Sequence, residues 1–99
     1  RITLARALAR QPAILICDDS FSSVDSSTES KIIQRLLRYY KGKLTIILVT
    51  HRFAALKHAD KIIVLRNGRI DEVGSHEQLL SKGGEYTRLY KEQSLEELV

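Results

Sequence analysis

Two short apolar runs in this chain each end in groups capable of chemistry. Ala13-Ile14-Leu15-Ile16-Cys17 leads into Asp18-Asp19, and Thr45-Ile46-Ile47-Leu48-Val49 leads into Thr50-His51. A carboxylate at a strand end can hold a hydrated Mg²⁺, a hard cation that prefers oxygen ligands and keeps several of its waters. A second carboxylate beside it can orient an attacking water or accept its proton. Taken singly, these groups have ordinary explanations. Asp-Asp-Ser can be a turn start, Ser22-Ser23-Val24-Asp25 a loop before a helix, and His51 a residue packed near the next helix. Their convergence raises them above that. Ligands of open parallel sheets bind beyond the carboxyl ends of the strands, so two strands at matching depth would set both groups on one rim. His58 and His76 have no such context and are expected at the surface.

The elements that must position these groups follow from periodicity. Residues 2 to 10 carry strong helix formers, with Leu4 and Leu8 four apart, and Pro12 ends the run by disfavouring helical geometry at Gln11. Neither strand alternates apolar with polar, so both faces of each are expected to be buried, as in a parallel sheet. Between the strands, Ser26-Ser27-Thr28-Glu29 fits a capping box with Ser26 as its cap. Ile32, Ile33, Leu36, Leu37 and Tyr40 follow at helical spacing, and Gly42 is a plausible stop. Strand, helix, strand in this order is a βαβ unit. A short helix is expected near Phe53 to Lys57, then a strand over Lys61 to Leu65. Asn67-Gly68 predicts a tight hairpin, because a type I′ turn needs positive φ at both positions, and Arg69 to Val73 is the return strand. Ser75-His76-Glu77-Gln78 is a further capping box opening a helix through Leu80, and Gly83-Gly84 breaks it. A last helix carries Tyr86, Leu89 and Tyr90 on one face.

Composition bounds the class. The 99 residues suffice for one small domain, and 43% hydrophobic with 28% charged residues reads as globular. No apolar run approaches the ~20 residues that span a bilayer. The net charge of +4 arises from scattered basic residues, and the tail after Lys91 is acidic, which argues for a solvated surface and against nucleic acid as partner. Cys17, the sole cysteine, lies in an apolar run and is expected to be a buried, reduced thiol. There is no Met, and the opening residues read as helix interior, so a piece of a longer chain is expected.

Together these stretches resemble the ATP-binding-cassette (ABC) family across nearly the whole chain. Arg1 to Arg10 resembles the helix after the family's signature sequence, and Ala13 to Asp19 the Walker B strand with its acidic pair. Ser22-Ser23-Val24-Asp25 is similar to the D-loop, and Val49-Thr50-His51-Arg52 to the switch-histidine segment. Val64 to Ile70 and Glu72 to Leu80 resemble the hairpin and helix that follow in exporter-type cassettes. Each motif is weak alone; five in this order and spacing are specific.

The resemblance implies an α/β fold: a partial P-loop NTPase (RecA-like) core of parallel strands with flanking helices, plus a C-terminal hairpin and helices. Residues 1–99 would be the C-terminal part of a single ABC ATPase domain. Its work would be to couple ATP and Mg²⁺ binding and hydrolysis to export. By the same resemblance, Asp18 would position Mg²⁺ through water and Asp19 would stand in the place of the catalytic glutamate. His51 would contact the γ-phosphate. Ser22 and Asp25 would face a second ABC ATPase domain across the sandwiched nucleotide. A transmembrane domain would be the other partner, with the cassette at the cytoplasmic face of the membrane.

Two departures stand out. No Gly-x-x-x-x-Gly-Lys-[Ser/Thr] occurs, so the loop whose backbone N–H groups cradle phosphates is missing from these residues, as is the Leu-Ser-Gly-Gly-Gln signature. The chain by itself is therefore expected to be inactive. Asp19 replaces the usual Glu, and a carboxylate drawn back by about a bond length can cost ~10²-fold in rate. Asp here resembles the degenerate half of heterodimeric exporters. Competing readings are a non-transport ABC ATPase, a non-catalytic interaction fragment, and a phospho-accepting receiver domain. The last needs a further Asp at an intervening strand end, and one helix alone separates Cys17 from Val49.

Overall fold

A computed structural model of the chain describes residues 2–18 and 25–98. The chain divides into two compact units, Arg1–Ala54 and Ala55–Val99.

The first unit opens with helix α1 (Ile2–Ala9). Gln11 N–H still donates to the Leu8 carbonyl at 3.0 Å, but Gln11 itself sits at φ +52°. The following Pro12 disfavours the right-handed helical region at Gln11, and the left-handed conformation lets the chain turn out of the helix. Strand β1 (Ile14–Asp18) then pairs in parallel with β2 (Thr45–Val49), and Asp18 aligns with Val49 at their carboxyl ends. The connection runs through helix α2 (Ser26–Tyr39). Both strands lie where the apolar runs put them.

The burial of this pair differs from expectation. Leu15 and Cys17 on one face are buried, with Ile33 and Leu36 of α2. On the other face Ile14, Ile16, Ile47 and Val49 are exposed by 47–64%. An unbroken apolar run encodes no preferred face, and the elements of this unit cover one side only. Cys17 is a buried free thiol as expected, and burial pushes its pKa up.

The start of α2 also corrects the reading of Ser26 as cap. Asp25 is the N-cap, with its carboxylate accepting from Thr28 N–H at 2.7 Å. With the helix begun one residue earlier, the third helical position falls on Thr28. Glu29 moves to the fourth, where it cannot close a capping box.

In the second unit, β3 (Ile62–Arg66) and β4 (Arg69–Gly74) form an antiparallel hairpin. Asn67 at φ +52° and Gly68 at φ +74° form the left-handed pair that the dipeptide predicts. The register slips after Val64, so that Val64 faces Glu72 while Leu65 faces Ile70, leaving Asp71 as the extra residue of a bulge. Helix α4 (His76–Lys82) carries the full capping box: Ser75 Oγ accepts from Gln78 N–H, and Gln78 Oε1 accepts from Ser75 N–H. Helix α5 (Glu85–Leu98) follows. Helix α3 (Phe53–Leu56) spans the boundary between the units.

Leu79 and Tyr86 are fully enclosed, and buried Thr87 donates to the Leu79 carbonyl at 3.0 Å. Buried Glu72 caps the start of α5, accepting from Tyr86 N–H at 2.9 Å. His76 is not a bare surface residue. Its Nδ1 lies 2.8 Å from the Tyr86 hydroxyl, and its ring meets Tyr90 edge-on. His58 is likewise part-buried, and desolvation, then Lys57, lowers its pKa.

Candidate functional site

Parallel register is what assembles the candidate rim. Cα partners run from Ile14↔Thr45 to Asp18↔Val49, so both strands reach their carboxyl ends at the same level. The Asp18 carboxylate is exposed at that edge. Thr50 and His51 follow Val49 directly, and His51 is exposed as well. Asp18 and the Thr50-His51 step are thus brought to one edge. Asp19 and Ser22 lie outside the described residues.

Asp25 stands at the base of α2. Hydrogen bonding from Thr28, and then from the Ser27 hydroxyl at 3.2 Å, holds its carboxyl below the usual range. A charged acceptor at a helix N-terminus also meets the positive end of the helix dipole. The Asp25 carboxylate is therefore fixed in direction, and its ionised form is favoured.

Glu29, read from sequence as part of a capping box, and Arg52, read only as the end of the His51 segment, pair with each other beside the site. Glu29 is 2% exposed, and Arg52 Nη1 donates to its Oε2 at 2.7 Å. Thr50 Oγ1 accepts from Arg52 N–H at 3.1 Å. A signal for Glu29 was present: it lies four residues before Ile33 and seven before Leu36, on the buried stripe of α2. A carboxylate on such a stripe needs a cation.

At this edge the described residues offer one carboxylate, Asp18, and one imidazole, His51. Among the described residues no group of three or more His, Cys, Asp and Glu side chains could enclose a metal. An exposed strand-end carboxylate meets a cation through its waters, and an exposed imidazole can reach a phosphate oxygen. Among the described residues no helix is long and apolar enough to cross a membrane.

No family model matches the chain. Individual proteins do. It is 50% identical, over 95 residues, to a probable multidrug resistance ABC transporter ATP-binding/permease protein of Bacillus subtilis, covering 96% of this chain and 16% of that protein. It is 47% identical, over 93 residues, to an ATP-dependent lipid A-core flippase of Legionella pneumophila, covering 94% of this chain and again 16% of the relative. Among solved structures, a bacterial Atm1-family ABC exporter with ATP bound matches 90% of this chain and 16% of its own, at a TM-score of 0.81 and 36% identity. The chain therefore spans about a sixth of the length of these relatives.

Proposed function

Since this chain is homologous over nearly its whole length to the ATP-binding/permease proteins of ABC exporters, we propose that it is the C-terminal part of an exporter's nucleotide-binding domain. In that reading, ATP bound with Mg²⁺ is hydrolysed at an interface between two such domains, and the cycle drives export through a transmembrane domain. The cassette works at the cytoplasmic face of the membrane. The observation that carries the reading is the level pairing of Asp18 with Val49, which brings Asp18 and the Thr50-His51 step to one edge of the strand pair.

The residues divide the labour by chemistry. The cation, when bound, neutralises phosphate charge as it spreads in the transition state. Asp18 would hold the cation through its waters. Asp19 accepts from the attacking water and aligns it. His51 donates to a γ-phosphate oxygen, supplying a positioned dipole where charge grows. Ser22 and Asp25 face the second domain, and the hydrogen bonds that fix Asp25 suit it to an interface. The 99 residues hold no glycine-rich phosphate loop, so they supply only part of the site. Asp19 in place of Glu favours a slow, degenerate site with a different chain as partner.

The test uses the intact protein in lipid. Asp18→Asn keeps the shape of the side chain and removes its charge. With the other ATP site inactivated, hydrolysis is expected to fall at least ~10-fold, with more Mg²⁺ needed for half-maximal activity, each ~1.4 kcal/mol of barrier being a factor of ten. An unchanged rate with an unchanged Mg²⁺ requirement would remove Asp18 from the site.

A further inference from the structure

The Glu29–Arg52 pair closes a bridge across 23 residues of chain, from the first turns of α2 to the segment that leaves β2. Its surroundings make it more than a surface ion pair. Glu29 is enclosed, Arg52 is 22% exposed, and the contact is a charge-assisted hydrogen bond of 2.7 Å. Arg52 is held a second time, by its own N–H on Thr50 Oγ1. His51 lies between those two anchored residues. On the other side, Glu29 N–H donates to the Asp25 carbonyl at 3.0 Å, so the carboxylate sits one helical turn beyond the Asp25 cap.

We infer that Glu29 and Arg52 are positioning residues that lock the His51 backbone to the Asp25 end of α2, so that the two segments move as one body. The inference rests on the ATPase reading above and adds to it residues that touch neither nucleotide nor cation. Arg52 is suited to the task because its planar guanidinium carries several donors in a fixed fork, so it can hold Glu29 while keeping a set orientation. Loss of the pair would let His51 drift relative to Asp25, and small displacements of a catalytic group can cost ~10²-fold in rate. Nucleotide affinity would be nearly unaffected, because the two side chains engage each other and are assigned no contact with nucleotide or cation.

The test compares the intact wild-type protein in lipid with Glu29→Gln, Arg52→Gln, the double Glu29→Gln/Arg52→Gln, and the conservative Arg52→Lys. Rates are scaled to folded protein by thermal melting and size exclusion. Glu29→Gln keeps the volume of the side chain, so it folds most readily. The expected result is a kcat lower by roughly ten-fold or more in each Gln single variant, with KM for ATP within about two-fold. The double variant should be no slower than the worse single one, since both remove the same link. Arg52→Lys should recover part of the rate, because it keeps the charge but not the fork. A wild-type kcat in Glu29→Gln, losses that multiply in the double variant, or a loss wholly explained by unfolded protein would overturn the inference while leaving the ATPase reading intact. Absence of ATPase in the wild-type protein would overturn both.

Discussion

Asp25, Glu29 and Glu72 are chemically similar, yet one caps a helix from the surface, one caps a helix from the interior and one pairs with a part-buried cation. Asp25 is exposed and caps α2; Glu29 is enclosed and takes the Arg52 guanidinium; Glu72 is enclosed and accepts from the Tyr86 N–H in the first turn of α5. The choice of cap was not legible because Asp25, Ser26 and Ser27 can all accept from a helix N-terminus, and local sequence does not rank them. Once Asp25 is chosen, Glu29 is released from the cap and the buried stripe claims it. Tyr86 belongs to the same scale. Burial first, and Tyr90 second, push its hydroxyl up to about 12. The neutral phenol is therefore favoured in the folded state. The stability this confers is complete below the unfolded value near ~10 and is lost as pH rises from there through about 12. Denaturant titrations across this alkaline range should show the wild-type chain losing stability more steeply than Tyr86→Phe. Phe cannot ionise, although it also gives up the 2.8 Å contact with His76 Nδ1. Equal slopes for the two proteins would mean that Tyr86 does not titrate there.

At the scale of elements, the features legible in sequence were the local ones. Asn67-Gly68 sets its own backbone, and Ser75 with Gln78 completes a cap within four residues, so neither needs a distant partner. The apolar runs likewise identified β1 and β2. What they could not give is which face is covered, since Ile14 and Leu15 are both apolar and only the neighbours decide between them. Long-range devices were hidden for the same reason: Glu72 and Gly84 are twelve residues apart and meet only after the hairpin, α4 and the start of α5 have formed. A Cβ built at Gly84 would lie 3.1 Å from both Glu72 carboxylate oxygens. The carboxylate cannot easily withdraw, because it accepts from Tyr86 N–H and its Oε2 is already enclosed without a hydrogen-bond partner. Gly84→Ala is thus expected to destabilise the protein by about 1–3 kcal/mol, through overpacking and a weakened cap on α5. Thermal or denaturant melting checks this. A neutral or stabilising change would show that the turn relaxes around the added methyl.

At the scale of the whole chain, each unit carries a bare apolar face. In the first it is Ile14, Ile16, Ile47 and Val49; in the second it is Ile63, Leu65, Ile70 and Val73. Clusters of this kind on a protein surface mark contacts with other structure. The relatives are about six times longer than this chain, so most of what they do involves residues beyond these 99. The family resemblance was legible because its motifs are short and come in a fixed order and spacing along the chain. What the whole protein acts on was not legible, because among the described residues no helix is long and apolar enough to cross a membrane and no motif names a substrate. The central claim is that the edge beyond β1 and β2 is part of an ATP-hydrolysing site. The measurement that tests it most directly is single-turnover ATP hydrolysis by the intact protein in lipid, with the other ATP site inactivated, with and without His51→Ala. The account predicts a loss of about 10²-fold or more in the hydrolysis step with little change in nucleotide affinity, since His51 acts where charge develops in the transition state. Hydrolysis at the wild-type rate in His51→Ala would contradict it.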